Sequence, residues 1–514
     1  MKSAAEGRPP TRACGLQPLP PGESGPAGTA SALVALSIDQ STVRGRSDLA
    51  RTMETTIANR LYLPSGVPDA LPATTEARRD ANLYLVRPLG SGIYGTVCAA
   101  GFRQTPGVVT TPLPLAVKIA DGDGPTVQAT LREVAVTQLL SALVTRRACP
   151  NLPCMYGAAV RYPDEGSRGS AHGVDLFQEV AECDLTAWAV GPRRSETEWM
   201  SVMFQVCAGL AWAGRVYDVT NNDLYGRNIL LSRIISPTSA REAVALGGGR
   251  AVSSCARDDL PCAPDPVFRY AIESRDGGWR DFVVRTRCRL ARPIDFALSS
   301  SDRLRAMGVD VPAHGAVAAS VGGDASPEGA PQRPSVASLA SLIGERHVIF
   351  HPYLNAYARD IAVLLATAAS ESNAPTAVRR WAVAGLHRLY AEIASRTPSR
   401  PAMSALARAR GPSRTRLPAL ARALATMRST TGPPNRAFLR SDDLIDFVTG
   451  VLFDPAFMAR AGLPADLFAH DAASAGAQVF TLPILDNPVP PEPPVPYAMM
   501  PEDVASLAEA FGVS

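Results

Sequence analysis

Of the 51 lysines and arginines in the chain, only Lys2 and Lys118 are lysine. Lys118 sits inside the apolar run "LAVKIA", Leu115 to Ala120. An unpaired ammonium buried there would be costly, so it needs an anionic partner. Upstream, Gly90, Gly92 and Gly95 punctuate "LGSGIYGTV". Glycines let a hairpin press its backbone N–H groups against phosphate oxygens without interference from a Cβ. Ala116 and Lys118 are two apart and share one face of a strand, so the ammonium points under the glycine hairpin, toward where phosphates would lie. The helical stretch that follows offers Glu133 as a carboxylate partner. In "NNDLYGRNILL", Asp223 and Asn228 stand five apart. The carboxylate can orient and deprotonate a hydroxyl, and the amide oxygen can ligate Mg²⁺. Asp295, in "RPIDFALSS", offers a second hard oxygen ligand. Taken singly, each has a bland reading: a Gly-rich hairpin, a solvated helix carboxylate, an Asn/Asp-rich turn.

The elements that must position these groups can be read from pattern. "NLYLVRPLG" alternates as a strand, "TVCAA" is a second and "LPLAVKIA" a third. A strand, not a helix, follows the glycines, which argues against a dinucleotide-binding site of the Rossmann type. Asp123 and Pro125 open a helix that carries Val127, Leu131, Val134 and Leu139 at helical spacing. "GVDLFQEV" reads as a strand. "SETEWMSVMFQVCAGLAWAG" opens with the capping box Ser195-x-x-Glu198 and lines Trp199, Val202, Met203, Val206 and Leu210 along one face. Strands come first and helices after, which predicts an α+β protein with a small β-rich part joined to a larger helical one.

The order glycine hairpin, A-V-K, helix Glu, D-L-x-x-x-N and D-F-x resembles that of the eukaryotic-type protein kinase fold, over roughly residues 83 to 460. The resemblance implies a bilobal fold: an N-lobe at 81–182 and a C-lobe at 183–465, with an insertion at 233–266 and a long activation segment at 295–350. Residues 1–80 are expected to be a mostly disordered extension, although 33–80 carry some helical pattern, and 466–514 a Pro-rich tail. The resemblance also implies roles. Leu89, Gly90, Gly92 and Gly95 would cover ATP. Lys118, paired with Glu133, would bind its α- and β-phosphates. Val97, Ala116 and Leu230 would enclose the purine, the backbone of Glu179 and Ala181 would bind adenine beside Gln178, and Asp184 would reach the ribose. Asp223 would be the catalytic base, Asn228 and Asp295 the ligands of Mg²⁺ or Mn²⁺, and Asp360 a structural brace of the catalytic loop.

The sequence departs from the family pattern in several places. Asn221-Asn222-Asp223 replaces the usual H-R-D, so the arginine that would receive an activation-segment phosphate is missing. Asn221 is the candidate to brace the loop instead. Tyr225 stands where serine/threonine kinases have lysine, and Arg227 matches the arginine of the tyrosine-kinase pattern, able to meet the γ-phosphate. Ala297 replaces the glycine of D-F-G. Between Asn228 and Asp295 lie 66 residues, which demands the insertion plus an extended hairpin around "SRDGGWRDF". No clear A-P-E follows; "HVIFHPYLNAY" occupies its place. Two rivals follow from these departures, a pseudokinase or scaffold and a small-molecule kinase of the aminoglycoside or choline type.

Composition sets the remaining bounds. A net charge of +3 over 514 residues implies no particular partner. From Arg379 to Arg440 there are 13 arginines and one acidic residue, but few aromatics, so nucleic-acid stacking is poorly supported and a solvated face of helices is the better reading, with an acidic protein substrate or a phosphate-rich partner as the alternative. The nine cysteines include no CxxC pair and read as reduced thiols. No apolar run approaches membrane-spanning length, and the N-terminus lacks a secretory pattern, so a soluble, intracellular (cytoplasmic) protein is expected. Richness in Ala, Arg and Pro resembles kinases of large DNA viruses, with an infected host cell as the setting.

Overall fold

The computed structural model describes residues 83–92, 95–102, 115–121, 125–161, 173–233, 266–312, 356–396, 441–469 and 477–483, with Arg46, Ala50, Met53, Glu54 and Ile57 ahead of them. Most of the expected insertion, the expected activation segment beyond 312, the Arg-rich stretch 397–440 and the chain beyond 483 lie outside the described residues.

Five antiparallel strands form the first sheet, in the order β1-β2-β3-β5-β4. They are β1 (Leu83–Gly92), β2 (Gly95–Phe102), β3 (Leu115–Asp121), β4 (Met155–Arg161) and β5 (Gly173–Glu179). Strand β3 is central and buried on both faces through Ala120, which explains its unbroken apolar run. Register places Lys118 opposite Val97 on one side and Leu176 on the other. Ala116 lies opposite Gln178. At Gly95 the φ is +136°, and a Cβ there would run into the Ile119 carbonyl oxygen, so the turn into β2 requires glycine.

Helix α1 (Pro125–Thr145) is apolar on two faces because it packs on two sides. Val127, Leu131 and Val134 join Met155, Ala158, Val160, Val174 and Leu176 of the sheet. Val136, Leu139, Leu140, Leu143 and Val144 join the main core, which also takes in Ala50, Met53 and Ile57. Those three residues and Arg46 are helical and buried, within the span expected to be mostly disordered.

Beyond β6 (Cys183–Asp184) helices dominate: α2 (Leu185–Val190), α3 (Glu196–Tyr217), α4 (Asp302–Ala306), α5 (Ala356–Ser370), α6 (Thr376–Arg396), α7 (Ser441–Phe447) and α8 (Pro455–Ala461). The content is that of an α+β protein. The expected capping box forms at α3, with Ser195 Oγ accepting from Glu198 N at 3.2 Å and Glu198 Oε2 accepting from Ser195 N at 2.8 Å. Almost all of α3 is buried, not just the face expected, because other elements surround it. At Gly209 a Cβ would strike the Asn151 carbonyl oxygen.

Two three-stranded sheets accompany the helices. One runs β10-β7-β6, with β7 at Ile229–Arg233 and β10 at Arg289–Pro293. The other runs β11-β8-β9. Here β8 (Val267–Glu273) and β9 (Trp279–Arg285) are the extended hairpin expected around "SRDGGWRDF", and β11 (Gln478–Leu482) adds parallel to β8. Phe204 of α3 stacks within an aromatic cluster of Tyr270, Phe282, Phe453 and Phe468.

Cys98, Cys149, Cys154, Cys183 and Cys207 are free thiols. Cys288 is disulfide-bonded, which departs from the reading of the cysteines as reduced thiols. It sits at the tight turn between β9 and β10 with φ 57°. Thr286 N in that turn donates to the carbonyl of Pro266, which extends the pairing of the β8–β9 hairpin by one residue at its open end.

Candidate active site

Lys118 is 6% exposed on β3, and its ammonium meets two carboxylates. Nζ donates to Glu133 Oε2 at 2.5 Å and to Asp295 Oδ1 at 3.1 Å. Glu133 is presented by α1 one residue before Val134, which anchors the helix to the sheet. Burial works against charge on Lys118, but Glu133 and Asp295 outweigh it and raise its pKa above the usual lysine value. Burial pushes the Glu133 carboxyl up to about 7, against the pull of the ammonium.

Asp223 lies in the loop after α3, braced from below. Asp360, buried on α5, accepts from Asn221 N at 2.7 Å through Oδ2 and from Asn222 N at 2.8 Å through Oδ1. Asn221 Oδ1 then accepts from Asp223 N at 3.0 Å, and its Nδ2 donates to the Ile294 carbonyl at 2.9 Å. Asn222, with φ 65°, donates to the Leu298 carbonyl and Ser300 Oγ at 3.0 and 2.9 Å. Two amides therefore link the Asp223 loop to the strand end and turn around Asp295. Asn222 was not singled out for this role in the sequence reading. Its signal was a polar side chain at a position that the family pattern gives to arginine.

Asn228 closes a short 3-10 turn, Gly226–Asn228, and its Nδ2 donates to Asp223 Oδ2 and to the Asp223 carbonyl, both at 2.8 Å. Burial and then the charge of Asp295 push the Asp223 carboxyl up to about 6, opposed by Arg227, Asn228 and Lys118. Arg227 is exposed and lies over the Tyr225 ring at 5.8 Å. Asp295 adopts φ 58° and ψ 70°, a left-handed conformation that is uncommon for non-glycine residues but is favoured by aspartate among them. Ala297 follows in the 3-10 turn Phe296–Leu298, where glycine is not required.

The remaining residues lie on the first sheet, on the link after it and on strands β6 and β7 of the second sheet. Leu89 and Gly90 are exposed on β1, Val97 is half-buried on β2, and Ala116 is buried opposite Gln178. Leu230 pairs with Asp184 across β7 and β6. Asp184 is also the N-cap of α2, with Oδ1 accepting from Ala187 N at 2.7 Å, so only its other oxygen is free of that bond. The backbone N–H and carbonyl of Ala181, expected to face adenine, have no hydrogen-bond partner among the described residues. Glu179 differs from the expectation in one respect. Its backbone was singled out, but its side chain is buried at 3% exposure and held by Arg46 and Arg292.

The donor set suits a hard divalent cation beside phosphate. Asn228 turns its amide nitrogen to Asp223, which leaves Oδ1 accepting no hydrogen bond among the described residues. Asp295 uses only Oδ1 on Lys118. An amide oxygen and a carboxylate are the ligand types Mg²⁺ takes alongside phosphate oxygens. Burial raises the Asp223 carboxyl most and the charge of Asp295 adds to it; a cation there would offset that added charge.

Over 157 residues the chain is 29% identical to the mitogen-activated protein kinase SLT2/MPK1 of Saccharomyces cerevisiae. The match covers 30% of this chain and 30% of that protein. It supports a protein-kinase-like relationship. No family model matches the chain. Among the described residues, no helix is long and apolar enough to cross a membrane.

Proposed function

We propose that the chain is a protein kinase, transferring the γ-phosphate of ATP to a protein hydroxyl with Mg²⁺ or Mn²⁺. The observation that carries this reading is Lys118 meeting both Glu133 and Asp295 beside the Asp223–Asn228 bond. In the reaction, the acceptor oxygen bonds to the γ-phosphorus while the bond from that phosphorus to the β,γ-bridging oxygen breaks. ADP leaves, and the hydroxyl proton passes to Asp223. Lys118, held by Glu133, supports the α- and β-phosphates. The hairpin of Gly90, Gly92 and Gly95 covers them with backbone N–H groups. Asn228 Oδ1 and Asp295 would hold the divalent ion, whose charge offsets that of the phosphates. Arg227 faces the γ-phosphate. Leu89, Val97, Ala116 and Leu230 enclose the purine, Glu179 and Ala181 read adenine through their backbone, and the free oxygen of Asp184 reaches the ribose.

The finer reading follows the resemblance. Residues 81–182 form the N-lobe and 183–465 the C-lobe of a bilobal fold. The acceptor is serine or threonine, because most members of the fold use it. The excess of arginine between Arg379 and Arg440 favours an acidic protein substrate. Richness in Ala, Arg and Pro resembles that of kinases of large DNA viruses and supports a setting in the cytoplasm of an infected cell.

The test is transfer from γ-labelled ATP by purified protein to acidic and basic protein substrates, and to aminoglycosides and choline. Label on serine or threonine of a protein is the expected outcome. Label only on a small alcohol would replace this reading with a small-molecule kinase. Tight ATP binding without transfer under either metal would replace it with a scaffold.

A further inference from the structure

The segment ahead of the glycine hairpin has no part in the mechanism above, yet it reaches the adenine side of the site. We propose that Arg46 is a positioning residue for the nucleotide: it holds the Glu179–Ala181 backbone, through the Glu179 carboxylate, in the placement that reads adenine. The inference rests on the nucleotide-site reading given above.

Arg46 is 2% exposed. Its Nε donates to Glu179 Oε2 at 2.9 Å, and its Nη2 pairs with Glu179 Oε1. The same guanidinium donates to the Leu152 carbonyl at 2.6 Å and to the Pro150 carbonyl. One side chain thus ties the turn after α1 to the end of β5. Glu179 also accepts from Cys154 N at 3.2 Å and faces Arg292 Nε at 3.0 Å. Arg292 in turn donates to the Val180 carbonyl at 3.3 Å, in the middle of the adenine-reading link. Burial alone would favour a neutral Glu179, but Arg292 and Arg46 overcome it and hold the carboxyl below its usual range.

Arg292 already balances the charge of Glu179. A second buried guanidinium adds net positive charge, which does not favour stability. What it adds is orientation: its donors lie in one rigid plane, and here that plane is fixed at a carboxylate and two carbonyls. Ala50, Met53 and Ile57 follow Arg46 at spacings of 4, 3 and 4 and are buried in the main core, which seats the arginine from one helical face.

Adenine presents an amine where guanine presents an oxygen, so a fixed carbonyl in this link favours ATP over GTP. The experiment measures dissociation constants for ATP and GTP by titration calorimetry, with kcat and KM for ATP, on full-length wild type, Arg46→Lys and Arg46→Gln. The lysine variant keeps the buried charge and guards against loss of folding. Wild type should prefer ATP. Both variants should lose ATP affinity by about tenfold and GTP affinity by under about threefold, since small misplacements of positioning groups have effects of this order. The loss should fall on KM for ATP more than on kcat. A merely structural role would lower the competent fraction and leave the ATP-to-GTP ratio intact, and that result overturns the proposal. Wild type that binds neither nucleotide would overturn the nucleotide-site reading with it, whereas wild type that discriminates while the variants match it overturns this inference alone.

Discussion

Lys118 answers a demand of its own position. An ammonium with almost no solvent needs negative partners, and it has two, on different elements. Replacing it by Met leaves Glu133 and Asp295 facing each other without a cation. Transfer should fall at least about 100-fold in kcat/KM, as is usual when an electrostatic group at a reacting phosphate is lost. Lys118→Arg keeps the charge but puts a larger planar fork where a compact ammonium meets two carboxylates, and so fits the slot less well. It should also lose most activity, measured as steady-state transfer. Asp223 carries a second residue-level prediction. Its carboxyl is pushed up to about 6, and only the ionised form can accept a proton. The pH profile of kcat/KM should therefore rise with an apparent pKa near 6 as pH increases, well above an ordinary aspartate. A flat profile between pH 5 and 7 would contradict this.

At the scale of elements, the loop that holds Asp223 depends on groups far from it in sequence. Asp360 on α5 satisfies two buried N–H groups. Asp360→Ala leaves both without their acceptor, at roughly 1–3 kcal/mol for each. Thermal denaturation should show the loss. Gly209→Ala, by placing a Cβ on the Asn151 carbonyl, should destabilise by roughly 1–3 kcal/mol through overpacking. These details mark what could be read beforehand. The strands around Lys118, the capping box at Ser195 and the hairpin at "SRDGGWRDF" were legible because their signals are local: alternation, a four-residue motif, a glycine turn. The residues of the candidate site were legible because each lies in a short motif and the motifs fall in a familiar order. Arg46 and Glu179 are 133 residues apart, and no periodicity announces such a pair. Asn222 was legible only as a missing arginine, and its bonds to Leu298 and Ser300 follow from the tertiary fold. Cys288 was misread for the same reason, since pairing depends on how loops return.

For the whole molecule, one apolar cluster runs from Ala50, Met53 and Ile57 through Val117 and Phe177 to Trp381 and Phe480. The segment before the glycine hairpin and the strand β11 are thus parts of one core. Phe480 packs its ring on Phe268 and Tyr270 at 5.4 and 5.5 Å. Phe480→Ala should cost roughly 3–5 kcal/mol, typical of a buried aromatic. Calorimetry should show the whole transition moving down, not a separate early phase. The central claim concerns what this core supports. Its most direct test is phosphate transfer from γ-labelled ATP to protein, comparing wild type with Asp223→Asn in the presence of Mg²⁺ or Mn²⁺. Wild type should label protein serine or threonine, and the variant should bind ATP but transfer at a rate lower by about 100-fold or more. Equal transfer by the two proteins, or none by wild type that binds ATP tightly, would contradict the account.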